Sequence, residues 1–139
     1  DEGQLQQVLV NLLLNAAQAM QSEGHILIFL EGVTFRPQVT FKDSTKKYKT
    51  GQKLILLAVI DDGPGISEDQ QRRIFAPFYT TKDPGQGTGL GLAICERILE
   101  SHSGEIRVHS RPGEGAMFSI ILPEETKSFE DGEAATQTV

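Results

Sequence analysis

Leu54-Ile55-Leu56-Leu57-Ala58-Val59-Ile60-Asp61-Asp62-Gly63-Pro64-Gly65-Ile66 is the stretch on which the fold turns. Its first seven residues are apolar without polar alternation, the pattern of a strand buried on both faces. Asp61 then stands at the strand's end, aimed at whatever lies beyond the sheet. Gly63 and Gly65 let the backbone come close to a flat neighbour. Taken alone, Asp-Gly and Pro-Gly mark no more than a turn after a strand. A buried carboxyl, however, needs a hydrogen-bond donor, and an amino group on a heterocycle such as adenine supplies one.

Outward from this strand, the remaining elements fall into place. Leu5, Val8, Leu9, Leu12, Leu13, Ala16 and Met20 recur at helical spacing, which predicts an amphipathic helix over 3–21 with Asp1 as its cap. His25 to Gly32 reads as a strand. Residues 34–53 are polar and Lys-rich, with a short alternating piece at 38–42. They read as a loop or exposed hairpin with no assigned role. Ser67 opens a short helix, with Glu68 and Asp69 favourable in its first turn. After a glycine-rich stretch at 83–87, Thr88 is placed to cap a second long helix that runs to about His102. Residues 105–110 and 116–122 read as antiparallel strands joined at 111–115. From Pro123 onward the chain is acidic and polar, the composition of a frayed tail. Helices stacked on one face of a mixed sheet is the economical architecture for this order.

Composition bounds the function classes. The chain has 139 residues, 38% hydrophobic and 23% charged, which suits one domain with one core. A net charge of -6 and a pI of about 5.0 argue against a nucleic-acid surface. An acidic domain still binds a polyanion where a metal and backbone dipoles supply the positive field. The single Cys95 excludes an internal disulfide and fits a reducing, cytoplasmic compartment. No apolar run approaches the roughly 18 residues of a membrane span, and no signal peptide is visible. The chain opens directly on a helix, which is expected of a piece of a larger protein. A membrane anchor elsewhere in that parent stays open.

Three further groups of residues carry chemistry. Asn11 and Asn15 lie one turn apart on the first helix, off its apolar stripe. Alone they read as solvated. Asparagine is nevertheless a mediocre helix former, and its carbonyl oxygen is a hard ligand suited to Mg2+. Gly85, Gly87, Gly89 and Gly91 run straight into a helix N-terminus, where free N–H groups suit phosphate. Their spacing fits neither G-x-x-x-x-G-K-[ST] nor G-x-G-x-x-G. Gly89 and Gly91 are also expected to let this helix pack tightly. Between the two lies Ile74-Phe75-Ala76-Pro77-Phe78-Tyr79-Thr80-Thr81-Lys82, which reads as a lid with Phe75 and Phe78 packed into the core. Lys82 can reach a terminal phosphate or stay solvated.

Together these residues resemble the sensor histidine kinases. Asn11–Ala16 is similar to their N box, Asp61–Ile66 to the G1 box, Ile74–Phe78 to the F box and Gly87–Leu92 to the G2 box. Order and spacing match, and residues 104–123 are similar to the family's closing hairpin. The resemblance covers nearly all of 1–123, a catalytic ATP-binding domain, and leaves 124–139 as an acidic tail. Phe78-Tyr79-Thr80-Thr81-Lys82 and Gln18-Ala19-Met20 are similar to the nitrogen-regulatory type of sensor kinase. Ser103 stands where a Gly is usual, and Ala116-Met117 where a Thr is usual.

The resemblance implies an α+β two-layer Bergerat fold, with a mixed, mostly antiparallel sheet covered on one face by about three helices. It implies ATP and Mg2+ as cofactors, with Asn15 the metal ligand and Asn11 and Lys82 beside it in catalysis. Asn15, Asp61, Gly63, Gly65, Ile66, Phe78, Thr81, Lys82, Gly87, Thr88, Gly89, Leu90 and Gly91 would line the nucleotide. The expected partners are the parent's dimerisation and histidine phosphotransfer domain and, through it, a response regulator receiver domain. Neither nucleic acid nor direct membrane contact is expected. The same fold serves gyrase-like and Hsp90-like hydrolases and kinases of serine. The hydrolases carry a Glu as water base at position 11. Asn11 accepts no proton at neutral pH. Serine kinases and a degenerate nucleotide-sensing module stay as alternatives. His25, His102 and His109 all read as structural, so no phosphoacceptor lies in the chain.

Overall fold

The computed structural model describes residues 1–37, 47–80 and 89–125. Seven elements follow in order: α1 (Glu2–Ala19), β1 (Ile26–Thr34), β2 (Lys53–Asp61), α2 (Glu68–Gln71), α3 (Gly91–Ser101), β3 (Glu105–Ser110) and β4 (Ala116–Pro123). The four strands form one sheet in the order β1-β2-β4-β3. All three described ladders are antiparallel.

Cross-strand partners share a face, so the register sorts the side chains. Leu57 pairs with Ile120, Val59 with Phe118, and Val108 with Phe118 across the other ladder. These residues meet Val8, Leu12 and Ala16 of α1 and Cys95, Ile98 and Leu99 of α3 in the main core. The two long helices thus lie side by side on one face, with the four-residue α2 beside β3. Asp1 caps α1 as expected, its carboxyl accepting from the N–H groups of Gly3 and Gln4 at 2.8 and 3.3 Å.

The opposite face corrects two expectations. Strand β2 is not buried on both faces along its length: Leu56 and Ile60 on this face are only half-buried, as are Ile55 and Leu57 on the helix-covered face. Nor is the segment after β1 an exposed loop at its ends. Phe35 and Tyr48 are buried and pack edge-to-face, ring centroids 5.6 Å apart, against Leu54 and Ile121. They form a second, smaller core on the far side of the sheet. The alternating piece at 38–42 lies outside the described residues.

Helix α3 begins later than the sequence suggests. Its N-cap is Leu90, which offers no side-chain hydrogen bond. Gly89, with φ of 70°, is in the left-handed region and cannot belong to the helix, so a cap at Thr88 would stand too far upstream. Thr88 itself lies outside the described residues.

Candidate nucleotide site

Asp61 ends β2 and is nearly buried. Its Oδ1 accepts the N–H of Gly63 at 2.9 Å, which turns the chain and fixes the carboxyl. No described residue donates to its other oxygen. The turn is then pinned to the β3–β4 hairpin. Gly113 N–H donates to the Pro64 carbonyl at 2.6 Å, and Ile66 N–H to Ser110 Oγ at 2.8 Å. Gln71 Nε2 donates to the carbonyls of Ile66 and Ser110. Approach is too close here for side chains: a Cβ on Gly115 would sit 2.0 Å from the Asp61 carbonyl, and one on Gly65 2.2 Å from that of Arg111. Both glycines also have positive φ. Ser110, Gln71 and the hairpin turn are therefore part of the site's frame, and no local pattern announced them.

Asp62, the second carboxylic acid of the turn, faces away. It accepts from the backbone N–H of His25 and contacts His25 Nδ1, both at 2.9 Å. These hydrogen bonds, the backbone one foremost, hold its carboxyl below the usual range.

The end of α1 closes onto the same turn. A Cβ on Gly63 would lie 3.2 Å from Met20 Cγ and 3.7 Å from the Ala19 carbonyl carbon. Asn15 and Asn11 sit one and two turns back from Ala19 along α1. Both are half-buried. Asn15 makes no side-chain hydrogen bond among the described residues. Asn11 Nδ2 points across to α3 and reaches the Gly91 carbonyl at 3.5 Å. Beneath it, burial pushes the Cys95 thiol up, and Cys95 Sγ lies 3.8 Å from the Val8 carbonyl.

The rim is formed by Phe78 and Gly89. Phe78 N–H donates to the Gly89 carbonyl at 2.9 Å. Phe75 packs on the core as expected, but Phe78 does not: it is 74% exposed with φ of 68°. Its position between Pro77 and a left-handed turn swings the ring outward. Gly91 likewise corrects the packing expectation, since a Cβ there meets no described atom within 4 Å. Contacts thus tie Gly63, beside Asp61, to the end of α1, Gly65 and Ile66 to the β3–β4 hairpin, Asn11 to Gly91 at the head of α3, and Gly89 to Phe78, while Asn15 lies on α1 between Asn11 and Ala19. Thr81, Lys82, Gly87 and Thr88 lie outside the described residues.

With this geometry in view, the comparisons decide the family. The profile described as histidine kinase-, DNA gyrase B- and HSP90-like ATPase matches residues 1–126. The chain belongs to this ATPase family. Its relatives are sensor histidine kinases. It is 43% identical over 123 residues to the signal transduction histidine-protein kinase AtoS of Escherichia coli K12, covering 88% of this chain and 17% of AtoS. Sporulation kinase E of Bacillus subtilis 168 is 37% identical over 123 residues, 88% of this chain and 14% of that protein. The chain thus spans under a quarter of its curated relatives' length. Among solved structures it is similar to the catalytic domain of histidine kinase ThkA, with a TM-score of 0.65 and 35% identity over 88% of this chain and 68% of that one. It is also similar to full-length ShkA in complex with AMPPNP, with a TM-score of 0.67 and 31% identity over 88% of this chain and 22% of ShkA. The chain has the α+β fold of a histidine kinase ATP-binding domain. These likenesses are to sensor histidine kinases at large and do not single out the nitrogen-regulatory type.

Proposed function

We propose that this domain binds Mg-ATP and presents its γ-phosphoryl group to a histidine on a separate dimerisation domain of a parent sensor kinase. The observation that carries this reading is Asn11. It stands in the site's wall with its amide nitrogen directed at the Gly91 carbonyl, and an amide cannot take a proton from water. A site without a water base keeps ATP for another acceptor.

Asp61, held by Gly63 with one oxygen unclaimed by the described residues, is suited to an adenine amino group. Asn15 fits a metal: its amide is half-buried and unclaimed among the described residues, and amide oxygen is a hard ligand. Those residues hold no cluster of three His, Cys, Asp or Glu side chains, so the metal would depend on Asn15 and the nucleotide's phosphates. When bound, Mg2+ neutralises phosphate charge. The chain's own part is positioning. Gly89, Leu90 and Gly91 bring backbone at the head of α3 to the phosphates, Gly63, Gly65 and Ile66 shape the adenine end, and Phe78 borders the opening. Thr81, Lys82, Gly87 and Thr88 complete this proposal. Phosphoryl transfer asks little more of a protein than such placement and charge neutralisation.

The catalytic unit in this reading is 1–123, with 124–139 appended. The parent's histidine-bearing domain and a response regulator are its proposed partners. Among the described residues no helix is long and apolar enough to cross a membrane. Calorimetric titration with ADP tests the adenine assignment. Asp61→Asn should lose most of the affinity while its circular dichroism spectrum stays native. Unchanged affinity would sink it.

A further inference from the structure

Ile66 closes the glycine-rich turn after Asp61, and side chains claim both of its backbone groups. Its N–H donates to Ser110 Oγ at 2.8 Å, and its carbonyl accepts from Gln71 Nε2 at 2.8 Å. The same two side chains are tied to each other and to the hairpin. Gln71 Nε2 also donates to the Ser110 carbonyl at 2.9 Å, and Ser110 Oγ donates onward to the Gly115 carbonyl at 2.6 Å. Gly115 in turn lies against Asp61, since a Cβ there would sit 2.0 Å from the Asp61 carbonyl oxygen. A closed circuit therefore runs from Asp61 along the turn to Ile66 and back through Ser110 and Gly115. The strand register sets its ends on one face. Asp61 and Ser110 each pair with Ala116, one through each ladder, and paired residues share a face. Ser110 thus stands two strands from Asp61, about 10 Å away, on the face that carries the helices.

The turn by itself is pliant. Gly63 and Gly65 have no side chain to restrict the backbone, and Gly65 sits at φ of 77°. Inside the turn, Asp61 Oδ1 braces Gly63. The far end, at Ile66, is braced from outside by Ser110 and Gln71. A hydroxyl suits this place because it accepts and donates at once. Its loss takes a partner from the Ile66 N–H and from the Gly115 carbonyl in one step.

We propose that Ser110, aided by Gln71, is a positioning residue of the nucleotide site, an assignment that rests on the nucleotide reading above. Ser110 fixes the Ile66 peptide and so holds the turn over 61–66 in the shape that receives the adenine end. Neither Ser110 nor Gln71 touches the nucleotide. Both act through Ile66 and, by way of Gly115, through Asp61. Their effect is confined to the end of the site shaped by Asp61, Gly63, Gly65 and Ile66. Asn15, on α1, keeps its place without them.

The test is titration of the 139-residue chain and its variants with ADP, with and without Mg2+, well below the melting transition. Ser110→Ala should weaken ADP binding about tenfold or more. Ser110→Thr keeps the hydroxyl and should recover most of that loss. Gln71→Ala, on a short surface helix, should fold and weaken binding severalfold. Ser110→Ala combined with Gln71→Ala should lose less than the product of the two losses, because both act on one peptide. The increment that Mg2+ adds should be the same in every variant, a pattern that a general loss of stability does not produce. Amide exchange without nucleotide supplies a second readout. The Ile66 N–H should exchange slowly in the unsubstituted chain and in Ser110→Thr, and fast in Ser110→Ala. An unsubstituted chain that binds ADP no better than Ser110→Ala and Gln71→Ala do would overturn the proposal and leave the nucleotide reading intact. Equal Ile66 exchange with and without the hydroxyl would also overturn it. An unsubstituted chain that binds no ADP would overturn the nucleotide reading and this assignment with it.

Discussion

Phe78 and Gly89 are joined backbone to backbone, the N–H of one on the carbonyl of the other at 2.9 Å, and both have left-handed φ, 68° and 70°. For a phenylalanine that conformation is costly. It persists because the two chain segments press against each other. A Cβ on Gly89 would lie 2.4 Å from the Phe78 carbonyl carbon, with backbone and not a yielding side chain in the way.

Gly89→Ala should therefore destabilise the domain by about 1–3 kcal/mol. Gly91→Ala is the contrast, since a Cβ there meets no described atom. It should keep or slightly raise the melting temperature, Ala being the better helix former, yet weaken ATP-analogue binding by crowding the head of α3. Thermal unfolding and titration of the two variants check this. Equal melting temperatures for Gly89→Ala and the parent chain would remove the clamp.

Asn15→Ala should spare metal-free ADP binding and lose the increment that Mg2+ adds. Titrations with and without Mg2+ measure it. An increment that survives would exclude Asn15 as the ligand.

How much of this site was legible from sequence depends on the range of the contacts. Asn11 and Asn15 were placed by helical period, and Asp61 by its position after an apolar run. Both signals are local. Phe35 and Tyr48 gave no such signal. They flank a polar, Lys-rich segment, and their partners Leu54 and Ile121 come from β2 and β4. The Ser110 hydroxyl that holds Ile66 lies 44 residues away, and His25 lies 37 residues from Asp62. Periodicity says nothing about such pairs. Phe78 failed for another reason: an aromatic beside a proline suggests packing, and only the backbone conformation shows that the ring turns outward.

Phe35→Ala tests the second core. The ring is fully buried, so its removal should cost about 3–5 kcal/mol. Below the melting transition, ADP affinity should be unchanged, because this cluster lies across the sheet from the residues proposed to hold the nucleotide. Denaturant unfolding measures the cost, and a loss under about 1 kcal/mol would mean that the segment is only loosely applied.

The His25–Asp62 contact has a signed pH consequence. Asp62 has a depressed pKa in the folded chain, so the unfolded chain binds its proton more readily. The contact therefore stabilises above the ordinary carboxyl range of about 4, and this contribution fades as pH falls through the folded value. The pair is exposed, so the effect is small. Carboxyl-carbon NMR should find Asp62 titrating low, and His25→Ala should move it part-way back, since the backbone N–H remains. Titration at the ordinary value would contradict the contact.

Incubation with γ-labelled ATP and Mg2+ tests the central claim most directly, because none of His25, His102 and His109 is placed as an acceptor. His25 is bound to Asp62, His102 caps the end of α3, and His109 lies within β3. The chain alone should remain unlabelled. With the parent's histidine-bearing helical domain added, label should appear on that domain only, lost in acid and stable in base. Acid-stable label on a serine would favour a serine kinase. Label on a histidine of this chain, or release of free phosphate in place of transfer, would contradict the division of labour proposed for Asn11 and the site around it.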